Sequence, residues 1–214
     1  MPAPTPIPTY KFLIPNGISA TKQYNILQLI ACILFFIFIF YFFFRKSYII
    51  SVICLVAFSN YLVINLKTWQ IQKPNGIIDS NARYLDWLIT TPLLFMTLLI
   101  KSGVKDMSVY LFFIALDVIM IYLGYLGAIS QDPQKMYIFF GFSCFFYLTL
   151  FACLIPYKPP AYLVVFLFLA WMVYPIIWFL HEYKKRYLSN QQYDYAIAAL
   201  DIISKIGYGL ILPL

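Results

Sequence analysis

The sequence predicts an all-α protein, a bundle of seven transmembrane helices, and three observations lead there. Of its 214 residues, 63% are hydrophobic and only 11% are charged, where soluble domains average about 25% charged. A membrane-crossing helix needs about 20 mostly apolar residues, and seven stretches qualify: 24–44, 48–66, 82–100, 107–129, 136–156, 160–181 and 192–213. These stretches and their short connections use nearly the whole chain. That leaves one membrane domain, 24–214, behind a Pro-rich N-terminal segment, 1–23.

Each element has a local reason. MPAPTPIPTYKFLIPNG has no basic region leading directly into an apolar core, so it reads as an extended or interfacial segment rather than a cleaved signal peptide. The first stretch carries two polar residues, Asn25 and Gln28; the second carries Ser59, Asn60 and Asn65. Asp79 and Ser80 stand where they can cap the third, and Asp106 the fourth. Asp132-Pro133 forms a turn before the fifth, and His181 and Glu182 mark the interfacial end of the sixth. Cys32, Cys54, Cys144 and Cys153 all fall inside apolar stretches without metal-ligand spacing, so neither a disulfide framework nor a metal site is expected.

The formal charge is +7, yet the basic residues are scattered among loop ends. Nucleic-acid binding needs a basic face, and the chain offers none. Lys184-Lys185-Arg186 is the one basic run and reads as an interfacial anchor. Arg45, Lys46, Lys101, Lys105 and Lys158 lie on one side of the bilayer. The other side holds Lys11, Lys22, Lys67, Lys73, Lys135, Lys184, Lys185 and Arg186. By the positive-inside rule, that tally of 5 against 8 puts the N-terminus in the cytoplasm.

The final stretch, DIISKIGYGLILPL, raises a physical problem. A lysine near a bilayer centre costs about 2.5–3.5 kcal/mol even on lenient insertion scales. Nine residues follow Lys205, about 13 Å of helix, so it lies deep and must be neutralised, paired or used. Arg83, Asp86, Asp117 and Asp201 are also intramembrane, and such groups usually face the bundle interior. Asp201 and Lys205 are four apart and share a helix face; Arg83 and Asp86 are three apart, with Thr90 a turn beyond. One cation and two carboxylates are therefore expected to meet between the third and seventh helices, with Arg83 offsetting the surplus negative charge. The alternative is an ion-pair network that only holds helices together, which rarely repays its desolvation.

Several motifs match a known family. ARYLDWLITTPLL (82–94) resembles the third helix of microbial rhodopsins, AWMVYPIIW (170–178) their sixth, and DIISKIG their retinal-carrying seventh. Asp117, Met120, Gly124 and Gly127 keep the spacing of the fourth, and AFSNY, with Tyr61, adds the second. The resemblance implies that all-trans retinal is joined to Lys205 as a protonated Schiff base. It further implies that Asp86 is the counterion and proton acceptor, Asp201 the second counterion, and Arg83 the link to the outer surface, with Thr90 bonding Asp86. Trp87, Thr91, Leu94, Met120, Gly124, Trp171, Tyr174, Pro175 and Trp178 would line the retinal slot. Apolar Leu94 implies green rather than blue absorption, and Asp117 resembles a buried neutral carboxyl with a structural role. The family's orientation puts the N-terminus outside, against the loop tally.

The pattern also departs from that of outward proton pumps. These carry a carboxyl donor eleven residues after the acceptor, and here that position is Thr97. Polar uncharged residues gather instead on the first two helices: Asn25, Gln28, Ser59 and Asn60. With Asp194, they could line a hydrated path of the kind on which channel selectivity depends. Equally, they could bond to neighbouring helices. The short loops resemble the compact rhodopsins of giant viruses. The reading is a non-enzymatic light-gated cation channel in a lipid bilayer that passes protons or monovalent cations. A weak outward proton pump comes second, and a photosensor acting through a partner third, since no signalling tail follows Leu214. Whether copies assemble into a homo-oligomer is left open.

Overall fold

Which side of each helix turns inward is decided by where its small and polar residues lie. The computed structural model describes residues 26–66, 69–72, 76, 78–182 and 187–212. Asn25, the N-terminal segment and the Lys184-Lys185-Arg186 run fall outside them. Helices α1 (Ile26–Phe44), α2 (Tyr48–Asn65), α3 (Asn81–Lys101), α4 (Met107–Ile129), α5 (Pro133–Leu154), α6 (Ala161–Glu182) and α7 (Asn190–Asp201) pack each on the next, and α7 closes the ring against α1. Among the described residues six helices are long and apolar enough to cross a membrane. The exception is α7, because the seventh segment changes its winding: Ile202–Gly207 is π-helical, and an α-turn resumes over Tyr208–Ile211.

The most buried helix is α3, with 61% of its most apolar stretch inside the protein, against 22–28% for α1, α4, α5 and α6. It forms the axis of the bundle, while Ile33, Phe36 and Phe40 of α1 or Leu111 and Phe112 of α4 face outward. Such outward apolar surface fits lipid rather than water. The π turn also shapes the interior. An i→i+5 turn shifts the helix face, and Ser204, Lys205 and Ile206 are buried in succession.

One connection differs from expectation. The α2–α3 connection contains an antiparallel pair, β1 (Gln70–Gln72) and β2 (Ile78–Ser80), with Gln70 opposite Ser80. Ser80 occupies the N-cap of α3 but makes no side-chain cap bond, and Asp79 is not a simple cap either: it is buried and its carboxylate binds Arg83. Asp106 does cap α4, accepting from Ser108 N at 2.9 Å and Ser108 Oγ at 2.8 Å. The hydroxyl bond, then the backbone bond, hold its carboxyl below the usual range. Asp132 caps α5 through Gln134 N, and Ser189 opens α7 with a reciprocal capping box to Gln192.

The α-turn after the π-helical stretch meets α1 and α2 tightly at Gly209. A Cβ there would lie 2.6 Å from both Phe42 Cζ and Ile50 Cγ2, and both side chains are 1% exposed, leaving little room to yield. Overpacking of this kind costs about 1–3 kcal/mol. Gly209→Ala should therefore lower the thermal transition of the purified protein; an unchanged transition would contradict this packing.

Candidate functional site

The polar interior of α3 and α7 is built around Lys205. The π turn carries its side chain into the bundle, where 1% of the residue is exposed. Nζ donates to Asp86 Oδ2 and lies 3.5 Å from Asp201 Oδ1. The two carboxylates differ in how they are held. Asp201 accepts from Tyr174 Oη at 2.6 Å and Trp87 Nε1 at 3.2 Å on one oxygen, and from Tyr61 Oη at 2.7 Å on the other. Asp86 Oδ1, by contrast, is buried with no hydrogen-bond partner among the described residues. One carboxylate is pinned in place by three donors, a kind of bond that is strong when its acceptor is charged. The other keeps an open acceptor site beside the cation.

Arg83 does not join this group. Its guanidinium binds Asp79 Oδ1 at 2.6 Å and Asp194 Oδ1 at 2.9 Å, with the Tyr193 ring 5.1 Å from its Cζ. The surplus negative charge it offsets belongs to those two carboxylates, and Asp79 is the partner that sequence reasoning missed. Its spacing of four from Arg83 was visible, but its cap position gave it another explanation. His181 and Glu182 end α6, as the sequence suggested. Both are buried, and the His181 ring stacks on Tyr193 at 4.0 Å and shares a 3.0 Å hydrogen bond with Asn190.

Thr90 donates to the backbone carbonyl of Asp86 at 2.8 Å. Thr91 Oγ1 lies 2.7 Å from the Trp87 carbonyl and 2.6 Å from Asp117 Oδ2. A hydroxyl has a single proton, so both contacts are hydrogen bonds when Asp117 is a neutral carboxylic acid that donates back. Thr97 Oγ1 lies 2.6 Å from both the Leu94 carbonyl and Tyr208 Oη.

Beyond Lys205 runs a cavity lined mainly by apolar and aromatic side chains, as small-molecule pockets are. Trp87, Thr91, Leu94, Met120, Gly124, Trp171, Tyr174, Pro175 and Trp178 all line it, with Lys205 and Ser204 at the α7 wall. Tyr84 and Ile121 add to the lining, and so do Phe140, Ser143, Cys144 and Tyr147 of α5. The ring of Phe140 stacks on Trp178 at 4.8 Å, and Trp87 meets Tyr174 edge-on at 5.1 Å. The α5 residues carried no motif; only their shared helix face, at spacings of three and four, could have marked them. An aromatic slot, a buried primary amine at its wall and a carboxylate oxygen without a partner suit a conjugated aldehyde such as retinal.

The polar residues on α1 and α2 divide. Asn60 is 6% exposed, and neither its Nδ2 nor its Oδ1 has a partner among the described residues. Gln28 is buried, and its backbone carbonyl accepts from Asn65 Nδ2 at 3.3 Å. Ser59 is not part of this interior. It is exposed on the outer face of α2 and donates to the Leu55 carbonyl at 3.0 Å, so it satisfies itself within its own helix.

Comparison with known proteins bears on this arrangement. Residues 19–214 match the family model described as bacteriorhodopsin-like protein. Archaerhodopsin-2 of Halobacterium sp. (strain aus-2) is 29% identical over 144 residues, covering 61% of this chain and 55% of that protein. Sensory rhodopsin-1 of Halobacterium salinarum is 29% identical over 63% of this chain and 60% of its own length. The chain thus spans just over half the length of these curated relatives. Solved structures match more fully. Thermophilic rhodopsin from Rubrobacter xylanophilus superposes with TM-score 0.80 at 25% identity, over 89% of this chain and 94% of that one. The light-driven proton pump of Coccomyxa subellipsoidea does so with TM-score 0.70 at 28% identity, over 87% and 91%. The chain belongs to the bacteriorhodopsin-like family, the microbial rhodopsins.

Proposed function

We propose that this chain is a light-gated cation channel that carries all-trans retinal on Lys205, with the N-terminus outside. Retinal bound covalently through a lysine is the cofactor of the family, and light-driven ion transport or sensing is its class of function. The choice of a channel rests above all on Asn60, a buried carboxamide with no protein partner. Leaving such a group unpaired costs about 1–3 kcal/mol per polar atom, and a bundle shaped for packing alone would place an apolar residue there. Its neighbour in sequence, Tyr61, binds Asp201. The amide therefore stands on α2 at the level of the residue that binds Asp201, where a hydrated path between α1, α2, α3 and α7 would pass. Gln28 and Asp194, and Asn25 by its place in the sequence, extend that path toward the Arg83 end of the bundle.

Bound at Lys205, retinal supplies light absorption and an isomerisation that displaces the charge held at Nζ. The protein's own groups do the rest. Asp86 Oδ2 faces Nζ and is the atom that takes the proton. Asp201 is held in place beside it by three donors. Arg83, anchored by Asp79 and Asp194, keeps positive charge between the acceptor and the outer end of the bundle. Thr97, at the place where dedicated pumps have an acid, cannot release a proton near neutral pH. Water from the other end must refill the lysine, which prolongs the state in which the interior is wetted.

A proton pump is the second reading, favoured by the intact pairing of Lys205 with Asp86 and by the likeness to the light-driven proton pump of Coccomyxa subellipsoidea. Voltage-clamped photocurrents separate the two. A channel's current reverses at a potential that follows the cation gradient. A current that keeps one sign over the physiological range would overturn the channel in favour of a pump, and no steady current at all would point to a sensor.

A further inference from the structure

The end of the bundle away from Arg83 holds a buried hydroxyl pair that the proposed transport cycle leaves without a role. Thr97 Oγ1 lies 2.6 Å from the Leu94 carbonyl oxygen and 2.6 Å from Tyr208 Oη. A threonine hydroxyl has one proton and a carbonyl has none. Thr97 must therefore donate to Leu94, and Tyr208 to Thr97. The direction of the chain is fixed: Tyr208, then Thr97, then the backbone of α3.

This chain joins two parts of the site. Tyr208 follows directly on the π turn that holds Lys205, while Leu94 is a wall of the cavity. Its surroundings are apolar. Tyr208 is 0% exposed and Thr97 4%, and Leu98, Leu99, Phe42 and Ile50 belong to the same buried core. On α3, Thr97 stands eleven residues from Asp86, about 16 Å along the axis, so Tyr208 acts through Thr97 and not on the ion pair. A phenol is no more a proton source near neutral pH than a threonine is.

On the transport reading above, we propose that Tyr208 is a positioning residue. Its hydrogen bond to Thr97 is a polar latch that closes the Lys101 end of the bundle, and re-forming that bond sets how fast the light-opened path shuts. Opening the path separates α3 from the π turn and leaves both hydroxyls without each other; closing restores the bond.

The test compares Tyr208→Phe, Thr97→Val and the double variant, each reconstituted with retinal. Tyr208→Phe keeps the ring that packs 6.3 Å from Phe166 and removes only the hydroxyl. Decay of the photocurrent after the light is switched off should slow by about three- to tenfold in each single variant, with the absorption maximum unmoved. The double variant should be no slower than the singles, because one bond has been removed in all three. Unchanged decay, or effects that multiply in the double variant, would overturn the latch. Light-minus-dark infrared spectra supply a readout that packing alone would not move. A phenolic C–O band should be present, absent from Tyr208→Phe and shifted in Thr97→Val; no such band would overturn the proposal. If the unsubstituted protein passes no current, the transport reading fails by itself, and the infrared spectra alone decide whether the latch works in the light cycle.

Discussion

Asp86→Asn should move the visible band of the retinal-reconstituted protein to longer wavelength by on the order of tens of nanometres. The argument is electrostatic. Lys205 Nζ contacts Asp86 directly, whereas Asp201 is 3.5 Å away. Asp201 already shares its charge among Tyr61, Trp87 and Tyr174. Asp86 therefore supplies most of the field that holds positive charge at the lysine end of the slot. Two unit charges 4 Å apart interact by about 4 kcal/mol at an effective dielectric of 20. Losing that attraction raises the ground state, in which the charge sits at Nζ, more than an excited state in which it has spread along the slot. An asparagine also cannot accept a proton, so light-driven transfer from Nζ should slow by about 10²-fold or more. A band that stays in place would remove Asp86 from the counterion role and leave Asp201 as the only candidate.

How much of this site was legible in the sequence depends on how far apart its residues lie along the chain. Lys205 and Asp201 are one helical turn apart, and Trp171, Tyr174, Pro175 and Trp178 follow a single face. Local spacing and motif were enough to place them. The pairing of Asp86 with Lys205 spans 119 residues and followed from the cost of an unpaired cation in a bilayer and from the resemblance of the third-helix motif. What remained hidden was contact between elements with no such energetic demand. Tyr61 donates to Asp201 across 140 residues, and Thr97 meets Tyr208 across 111. Neither hydroxyl announces its partner. Asp79 was obscured by a simpler role at the start of α3, and Ser59 was credited with an inward face that α2 does not give it. The π turn has no compositional mark, yet it brings Ser204, Lys205 and Ile206 inward together and carries Tyr208 onto α3. Arg83 shows the limit of counting charges: the spacing named it a partner for Asp86, and the fold gave it to Asp79 and Asp194.

The other large effect is expected at Lys205 itself. Lys205→Ala removes the primary amine at the wall of the slot and leaves Asp86 and Asp201 facing one another without the cation between them. Breaking a buried ion pair by deleting one partner costs about 3–5 kcal/mol, relieved here when one carboxylate takes up a proton. The aromatic lining would survive, so retinal could still enter, but nothing would fix it covalently or hold positive charge beside the carboxylates. The most direct measurement is the visible spectrum of purified protein after addition of all-trans retinal, recorded for the unsubstituted chain and for Lys205→Ala. A visible band in the first and none in the second is the predicted result. A colourless unsubstituted protein, or a band that survives the substitution, would contradict the assignment of Lys205 as the attachment point.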